Sequence, residues 1–238
     1  MNIALIGYGK MGKMIEEVAV EAGHSISLII DHDNQQDFTA DNCRSADVAI
    51  EFTTPHTAFQ NIRKCIDFGL PVVSGSTGWN SHLPEAAAYC AAHGGTFLHS
   101  SNFSIGVNIF FEINKKLAQL MSRQPAYSVT LREIHHTQKK DAPSGTAVTL
   151  AEQVLREIET KTSWVNGPAT LPNELSIISE RIDPAPGTHH VVYTSAIDSI
   201  EIIHTAHSRK GFAQGAVLAA EFIAAKKGVF SMEDVLQF

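Results

Sequence analysis

The chain has 238 residues, of which 44% are hydrophobic and 18% charged, a composition typical of a globular protein. Its 18 basic and 25 acidic side chains give a net charge of −7, and no strongly basic block is present, so we expect no nucleic-acid partner. The apolar runs are too short to span a bilayer, and we expect no signal peptide. We therefore expect a cytoplasmic protein without a membrane partner.

Short apolar runs alternate with helical patterns in the first hundred residues. The runs predict strands at 2–6, 25–30, 47–52, 71–74 and 96–99, and the periodic segments predict helices at 12–22, 55–68 and 81–93. Strands without polar alternation, separated by helices, indicate a parallel sheet covered on both faces. Right-handed crossovers between such strands predict a Rossmann-type doubly wound α/β layer.

The rest of the chain has a different pattern. Helices are predicted at 107–121, 144–158 and 211–226, and strands at 126–134, 174–181, 189–194 and 201–206. Strands joined by short turns predict a smaller α+β domain with a mixed or antiparallel sheet. We expect a dinucleotide-binding domain over 1–104, completed by 210–238, and a second domain over 105–209.

A G-x-G-x-x-G motif directly follows the first strand and opens a helix. It consists of Gly7, Tyr8, Gly9, Lys10, Met11 and Gly12. Gly7 permits the tight turn, Gly9 lets a pyrophosphate approach the backbone, and Gly12 lets the helix pack against the strand. The N–H groups at the helix N-terminus then face the phosphates.

Asp31 ends the second predicted strand, 19 residues after Gly12, where an acidic side chain can accept hydrogen bonds from ribose hydroxyls. The alternative is a structural glycine turn with a surface aspartate. Asp31 repels a 2′-phosphate and no arginine follows it, which favours NADH, whereas Lys10 could still reach such a phosphate. Use of NADH, NADPH or both stays open.

Two further segments follow strands at the same edge of the predicted sheet. Residues 51–55 contain Phe52, and residues 74–78 contain Gly75, Ser76 and Thr77. Ligands bind at the carboxyl ends of the strands in such sheets, and these side chains suit a nicotinamide ribose. The alternative is a pair of ordinary loops with helix N-caps.

Residues 133–147 contain the highest density of side chains that can bind anions or transfer protons. His135, His136, Lys139 and Lys140 place up to four cationic groups within six residues. Ser144 is a typical helix-start residue, so the backbone just after it faces the same loop. A cationic loop beside a helix N-terminus predicts a carboxylate or phosphate site with proton donors, and the alternative is a solvated basic turn.

The remaining cysteines and histidines do not predict a metal centre. The three cysteines have no zinc-type spacing, and no H-x-x-x-H pair lies on a predicted helix. We therefore expect no metal, although the pair at 189 and 190 can approach the cationic loop.

The loop string H-H-x-x-K-x-D-A-P-S-G-T-A over 135–147 resembles the signature of the 4-hydroxy-tetrahydrodipicolinate (dihydrodipicolinate) reductase family. Segments 7–12, 51–53, 75–78, 102–108 and 208–216 resemble the same family in the same order. The resemblance implies an NADH- or NADPH-dependent oxidoreductase of lysine biosynthesis through diaminopimelate. It also implies a small dicarboxylate substrate and a homotetramer.

The resemblance also implies residue roles. His135 is a proton donor or acceptor and Lys139 a proton donor. His136, Gly145 and Thr146 bind the substrate carboxylates. The cofactor is held by residues 7–12, by Asp31, by residues 75–77, and by Ser100, Ser101, Asn102 and Phe103.

The chain departs from the family pattern mainly in the cofactor domain, where loops are shorter and the glycine loop is one residue tighter. Two other functions stay open from the residues. One is another Rossmann oxidoreductase acting on a small amino or imino acid, against which the His-His-x-x-Lys segment argues. The other is a regulator that binds NAD(H) without turnover, against which a complete acid–base loop argues.

Overall fold

The computed structural model describes all 238 residues. The chain forms two compact units: Met1–Ile105 with Lys210–Phe238 in unit 1, and Gly106–Arg209 in unit 2. None of the helices combines the length and the apolar character that crossing a lipid bilayer requires.

Unit 1 is built on a sheet of six parallel strands. They are β1 (Asn2–Ile6), β2 (Ser25–Ile30), β3 (Val48–Glu51), β4 (Val72–Ser74), β5 (Thr96–His99) and β11 (Gly228–Phe230). The strand order is β11-β5-β4-β3-β1-β2. Strand β2 lies on one side of β1, whereas β3, β4 and β5 follow one another on its other side. The carboxyl ends of β1 and β3 therefore border a crevice.

Helices cover both faces of this sheet. They are α1 (Lys10–Glu21), α2 (Ala40–Cys43), α3 (Ala58–Asp67), α4 (Leu83–Ala92), α7 (Lys210–Ile223) and α8 (Met232–Leu236), with 3-10 turns at His32–Asp37 and Asn80–His82. Alternate residues of β1 enter opposite cores: Leu5 packs with α1 and α7, and Ile6 packs with α3 and α4. The predicted doubly wound layer is confirmed.

Unit 2 is built on a mixed sheet of five strands. Its elements are α5 (Ile105–Met121), β6 (Ser128–His135), α6 (Gly145–Glu157), β7 (Ser163–Asn166), β8 (Glu174–Arg181), β9 (Gly187–Thr194) and β10 (Ser199–Ala206). The order is β10-β9-β6-β8-β7, antiparallel from β10 to β6 and parallel from β6 to β7. Phe110 of α5 and Leu150 of α6 pack in one core with Leu131 of β6, which confirms the predicted α+β unit.

Several boundaries differ from the sequence prediction for local reasons. Helix α1 begins two residues early, because Gly9 is already its N-cap. Helix α7 ends at Ile223, and Gly228, with φ of +124°, leads the chain into β11. The short elements β7, β11, α2 and α8 were not predicted.

Candidate functional site

The glycine-rich turn joins the end of β1 to the start of α1. Gly7 has a φ of +95°, and a Cβ there would lie 2.1 Å from the carbonyl oxygen of Phe52. The N–H of Gly7 donates to the carbonyl of Ile30 at 2.7 Å. A Cβ on Gly12 would lie 2.2 Å from the carbonyl oxygen of Gly7. Only glycine fits either position without a shift of the backbone.

Gly9 has a different environment, since nothing lies within 4 Å of the position that its Cβ would take. It is the N-cap of α1, whose first turn contains Lys10, Met11 and Gly12. The N–H groups and partial positive charge of a helix N-terminus attract phosphate. The backbone at Gly9 is therefore open to a diphosphate group.

A cavity of about 370 Å³ adjoins this turn. Of the residues predicted to hold the cofactor, Gly7, Tyr8, Gly9, Asp31 and Phe52 line it. It also has lining residues that were not predicted: His32, Gln35, Thr53, Thr54, Thr57 and Asn61. These residues border the switch point of the sheet, where such folds bind their ligands. The geometry fits a dinucleotide.

Asp31 lies at the mouth of this cavity with its side chain exposed. Its backbone N–H donates to Asn34 Oδ1 at 2.7 Å, and its carbonyl accepts from Gln35 Nε2 at 2.8 Å. These two bonds fix the backbone around Asp31, which is one of the residues that line the cavity. Ribose hydroxyls are suitable donors to such a carboxylate.

Gly75 and Ser76, which are predicted to contact the cofactor, also make contacts within the protein. A Cβ on Gly75 would lie 2.1 Å from Cζ of Phe52, so the missing side chain makes room for that ring. The buried Ser76 hydroxyl donates to Glu51 Oε1 at 2.8 Å and accepts from the Thr53 N–H at 2.8 Å. The Ser76 hydroxyl is thus engaged within the protein. Thr77 is exposed and is not among the residues that line the cavity.

The predicted cofactor segment 100–103 also lies outside the set of residues that line the cavity. Ser100 Oγ donates to the carbonyl of Asn102 at 2.7 Å, and Ser101 is exposed. The Phe103 ring is buried, with its centroid 5.7 Å from that of Phe52. For these residues cofactor binding stays a prediction from the family resemblance.

Glu51 has a positioning role that the sequence did not reveal. Its carboxylate is fully buried and accepts hydrogen bonds from Ser74 Oγ at 2.6 Å, from Ser76 Oγ at 2.8 Å and from the Thr53 hydroxyl. Burial raises the pKa of Glu51, and these hydrogen bonds oppose the shift. The carboxylate ties together the loops after β3 and β4.

In unit 2 the cationic loop consists of residues 136–144, between β6 and α6. Ser144 is the N-cap of α6, and its Oγ accepts from the N–H of Ala147 at 3.2 Å. The helix therefore begins where the sequence predicted, with Gly145 and Thr146 in its first turn. This N-terminus is a suitable position for an anion.

Lys139 forms an ion pair within the loop, since its Nζ lies 2.9 and 2.8 Å from the two carboxylate oxygens of Asp141. Partial burial alone would raise the pKa of Asp141, but the hydrogen bond and charge of Lys139, together with a backbone hydrogen bond and the charge of Arg181, more than offset it, so the pKa is lowered. The Asp141 side chain is 60% exposed. An incoming carboxylate can therefore compete for the ammonium.

His135 ends β6 and is buried. Its Nδ1 lies 3.4 Å from Glu133 Oε2 but makes no hydrogen bond there. Burial lowers the pKa of His135, the Glu133 charge raises it, and the net shift is downward. The imidazole is therefore neutral near pH 7 in this structure. It can accept a proton, or donate one once an anion lies beside it.

The three residues expected to bind carboxylates border the same loop. His136 is half-buried, with Nε2 3.4 Å from a guanidinium nitrogen of Arg209. Gly145 is exposed, and nothing lies within 4 Å of its Cβ position. Thr146 is half-buried in the first turn of α6. Arg209 adds a cation that the sequence suggested only as part of a family motif.

The sequence assigned no role to Glu133 and indicated only that His189 can approach the cationic loop; both side chains are buried. The two residues lie opposite each other on β6 and β9. His189 Nε2 lies 3.2 Å from Ser144 Oγ, and its ring centroid lies 5.2 Å from that of His135. Burial, reinforced by the repulsion of His135, lowers the pKa of His189 to about 3. The sequence signal for this cluster was the two-residue spacing of Glu133 and His135, which places both side chains on the same face of β6.

Glu133, His135 and His189 also form a geometrically possible metal site, because their ligand atoms lie within 4.8 Å of one another. The Glu133 carboxylate, however, already accepts from the Ser144 N–H at 3.1 Å and from Arg181 at 3.2 Å. A dication would have to displace these donors against the charge of Arg181. We assign no metal to this cluster.

Comparison with known proteins shows which family this chain resembles in sequence. The model for the N-terminal part of dihydrodipicolinate reductase matches residues 1–103, and the model for its C-terminal part matches residues 106–236. A 4-hydroxy-tetrahydrodipicolinate reductase from Christiangramia forsetii is 48% identical over 99% of this chain and 98% of its own. The reductase of Thermosipho africanus is 33% identical over 100% and 98% of the two chains.

Solved structures show the same fold. A dipicolinate-bound dihydrodipicolinate reductase from Paenisporosarcina sp. TG-14 superposes with a TM-score of 0.77 over 97% of each chain, at 21% identity. An amine dehydrogenase from Mycobacterium smegmatis gives 0.63 over 97% of this chain and 94% of its own, at 9% identity. Two family models together match almost every residue, and the chain belongs to the dihydrodipicolinate reductase family.

Proposed function

We propose that the protein reduces 4-hydroxy-tetrahydrodipicolinate to tetrahydrodipicolinate with loss of water, in lysine biosynthesis through diaminopimelate. The observation that carries the proposal is the loop of unit 2, in which Lys139 lies close in sequence to the open first turn of α6. A small cyclic dicarboxylate requires such an anion site with a proton donor beside it. The relatives named above are reductases of this substrate.

The cofactor is NADH or NADPH, held at the glycine turn of unit 1. When bound, the nicotinamide supplies the hydride for the reduction. Gly9 leaves the N-terminus of α1 open to the diphosphate, and the Asp31 carboxylate accepts from the ribose. Asp31 also disfavours a 2′-phosphate, so NADH is the preferred coenzyme.

The substrate carboxylates bind His136 and the first turn of α6 at Gly145 and Thr146. Lys139 exchanges its contact with Asp141 for one with the substrate and donates the proton that balances the hydride. His135, kept neutral by burial, takes up or returns a proton beside it. Loss of water removes the ring hydroxyl with a hydrogen of the neighbouring ring carbon and leaves a conjugated double bond. The hydride and one proton then saturate that bond, so the reduction balances.

We also propose a cytoplasmic homotetramer. Strand β10 is an edge of the sheet in unit 2, and Ile200 and Ile203 on it are exposed. An uncovered apolar edge strand favours association with another chain. Light scattering that gives the mass of a monomer at working concentration would remove this part of the proposal.

Parallel titrations with NADH and NADPH test the function. Purified protein is mixed with each coenzyme, with and without 4-hydroxy-tetrahydrodipicolinate, and the nicotinamide absorbance is followed. We expect oxidation only when substrate is present, with a higher kcat/KM for NADH. Coenzyme binding without oxidation would identify a regulator, and oxidation with other imino acids alone would identify a different reductase.

A further inference from the structure

The loop that carries Lys139 has little structure of its own. Over residues 136–144 it forms neither helix nor strand, and one backbone hydrogen bond, from Lys139 N–H to the His136 carbonyl at 3.1 Å, lies within it. Its conformation therefore depends on contacts from neighbouring strands. The most central of these contacts come from Arg181, the last residue of β8.

Arg181 binds the backbone of the loop at two points. Its Nε donates to the carbonyl of Lys139 at 3.3 Å, and a terminal nitrogen donates to the carbonyl of Asp141 at 2.5 Å. The same nitrogen lies 3.2 Å from Glu133 Oε1. The other terminal nitrogen donates to the Glu180 carbonyl at 2.7 Å. The guanidinium of Arg181 thus holds the backbone of Lys139 and Asp141, whose side chains form an ion pair with each other.

Glu133 holds the other end of the loop. Its carboxylate is fully buried, and both oxygens lie 3.1 Å from the N–H of Ser144, the N-cap of α6. The charge of Arg181 and the donors around it stabilise this buried anion. Because Ser144 is fixed in this way, the first turn of α6 begins at a defined place beside the loop.

We propose that Glu133 and Arg181 are positioning residues that together fix the proton donor, Lys139, relative to the substrate's anion site at the start of α6. Neither side chain need touch the substrate. Arg181 orders the backbone under Lys139, and Glu133 orders the start of α6 at Gly145. The ion pair between Glu133 and Arg181 couples the two ends, so a change in either residue displaces the group beside it most and the group at the other end less. This inference rests on the proposed function only in giving Lys139 and α6 their roles.

A lysine cannot replace Arg181 in this arrangement. The ammonium carries its donors on a single nitrogen, whereas the guanidinium reaches the carbonyls of Lys139 and Asp141 and the Glu133 carboxylate from separate positions. Arg181→Lys therefore retains the charge and loses these separate donors. Arg132→Lys is the matched control, because Arg132 makes a similar two-point contact with Glu180, at 2.6 and 3.0 Å, away from the loop.

The first test is kinetic. We expect Arg181→Lys to lower kcat by about tenfold or more, since small misplacements of reacting groups are costly. We expect Glu133→Gln to raise the substrate KM, and Arg132→Lys to match the wild type in both parameters. Guanidinium chloride at millimolar concentration should restore part of the turnover of Arg181→Ala. Wild-type kcat and KM in Arg181→Lys would overturn the proposal.

The second test needs no turnover. Trypsin cleaves after Lys139 and Lys140 only when the loop opens, so cleavage there should be faster in Arg181→Lys than in Arg132→Lys at equal thermal midpoints. Equal cleavage rates would overturn the proposal. If the wild type binds coenzyme but oxidises none, the proposed function fails, and the cleavage rates still decide whether Arg181 and Glu133 order the loop.

Discussion

His189 makes the stability of unit 2 depend on pH in a defined way. Its imidazole is buried beside Ser144 and His135, and its pKa falls from 6.5 to about 3. The unfolded chain therefore binds a proton at this side chain before the folded chain does. Stability is complete above the unfolded pKa, is lost as the pH falls below about 6.5, and stops falling near pH 3.

The size of the effect at pH 5 follows from these two values. At that pH the unfolded imidazole is almost fully protonated and the folded one almost fully neutral, which costs about 2 kcal/mol of unfolding free energy relative to pH 7.5. Any folded pKa well below 5 gives nearly the same cost. The difference in unfolding free energy between pH 5 and pH 7.5 therefore tests only whether burial keeps the His189 imidazole neutral.

The assay compares the wild type with His189→Gln, which cannot titrate. In a Trp79→Phe background the fluorescence comes from Trp164 of unit 2 alone, since the chain has 2 tryptophans. Urea unfolding at pH 7.5 and pH 5 should show a loss that is about 2 kcal/mol smaller in the variant.

The control for this assay is His32→Gln. His32 is fully exposed, and its hydrogen bond to Asp33 raises its pKa, so it favours the folded state at low pH. Its replacement cannot lessen the loss of stability in acid. Equal pH dependence in the wild type and His189→Gln would show that burial does not hold the imidazole neutral.

Four further outcomes are expected. Lys139→Ala should lower kcat by about 10²–10⁴-fold with unchanged coenzyme affinity, and near-normal kcat would remove Lys139 as proton donor. Thr146→Val should raise the substrate KM more than it lowers kcat, and the reverse would place Thr146 in the chemical step. Gly215→Ala should lower the thermal midpoint, because its Cβ would lie 1.7 Å from the Phe103 carbonyl oxygen and overpacking costs about 1–3 kcal/mol or more. Activity should survive prolonged chelation, whereas loss restored by added zinc would contradict the absence of a metal.

The sequence predicts the sheet of unit 1 well for a physical reason. Its inner strands are buried on both faces, so each is a short apolar run without polar alternation, as in β1, β3 and β5. The start of α6 is equally predictable, because Ser144 caps it with its own side chain. Strands β7 and β11 are edge strands of four and three residues, too short to show a period.

Contacts between distant segments lie beyond a reading of local patterns. Glu133 meets His189 across β6 and β9, and Arg181 reaches the loop from β8. Local patterns suggest which residues can do chemistry, and the strand pairing decides which of them meet. Ser76 is an example of the opposite case. Its hydroxyl is chemically suited to bind a ribose, but in the structure it donates a hydrogen bond to Glu51.

The central claim is that hydride passes from a nicotinamide to the ring of a small dicarboxylate while this chain supplies the proton. The most direct measurement is the mass of the product formed from coenzyme that carries deuterium at the transferable position of the nicotinamide. We expect one deuterium in tetrahydrodipicolinate, and Lys139→Ala should form the same labelled product more slowly. Unlabelled product, or coenzyme that stays reduced while substrate is present, would show that no hydride passes from the nicotinamide to the ring.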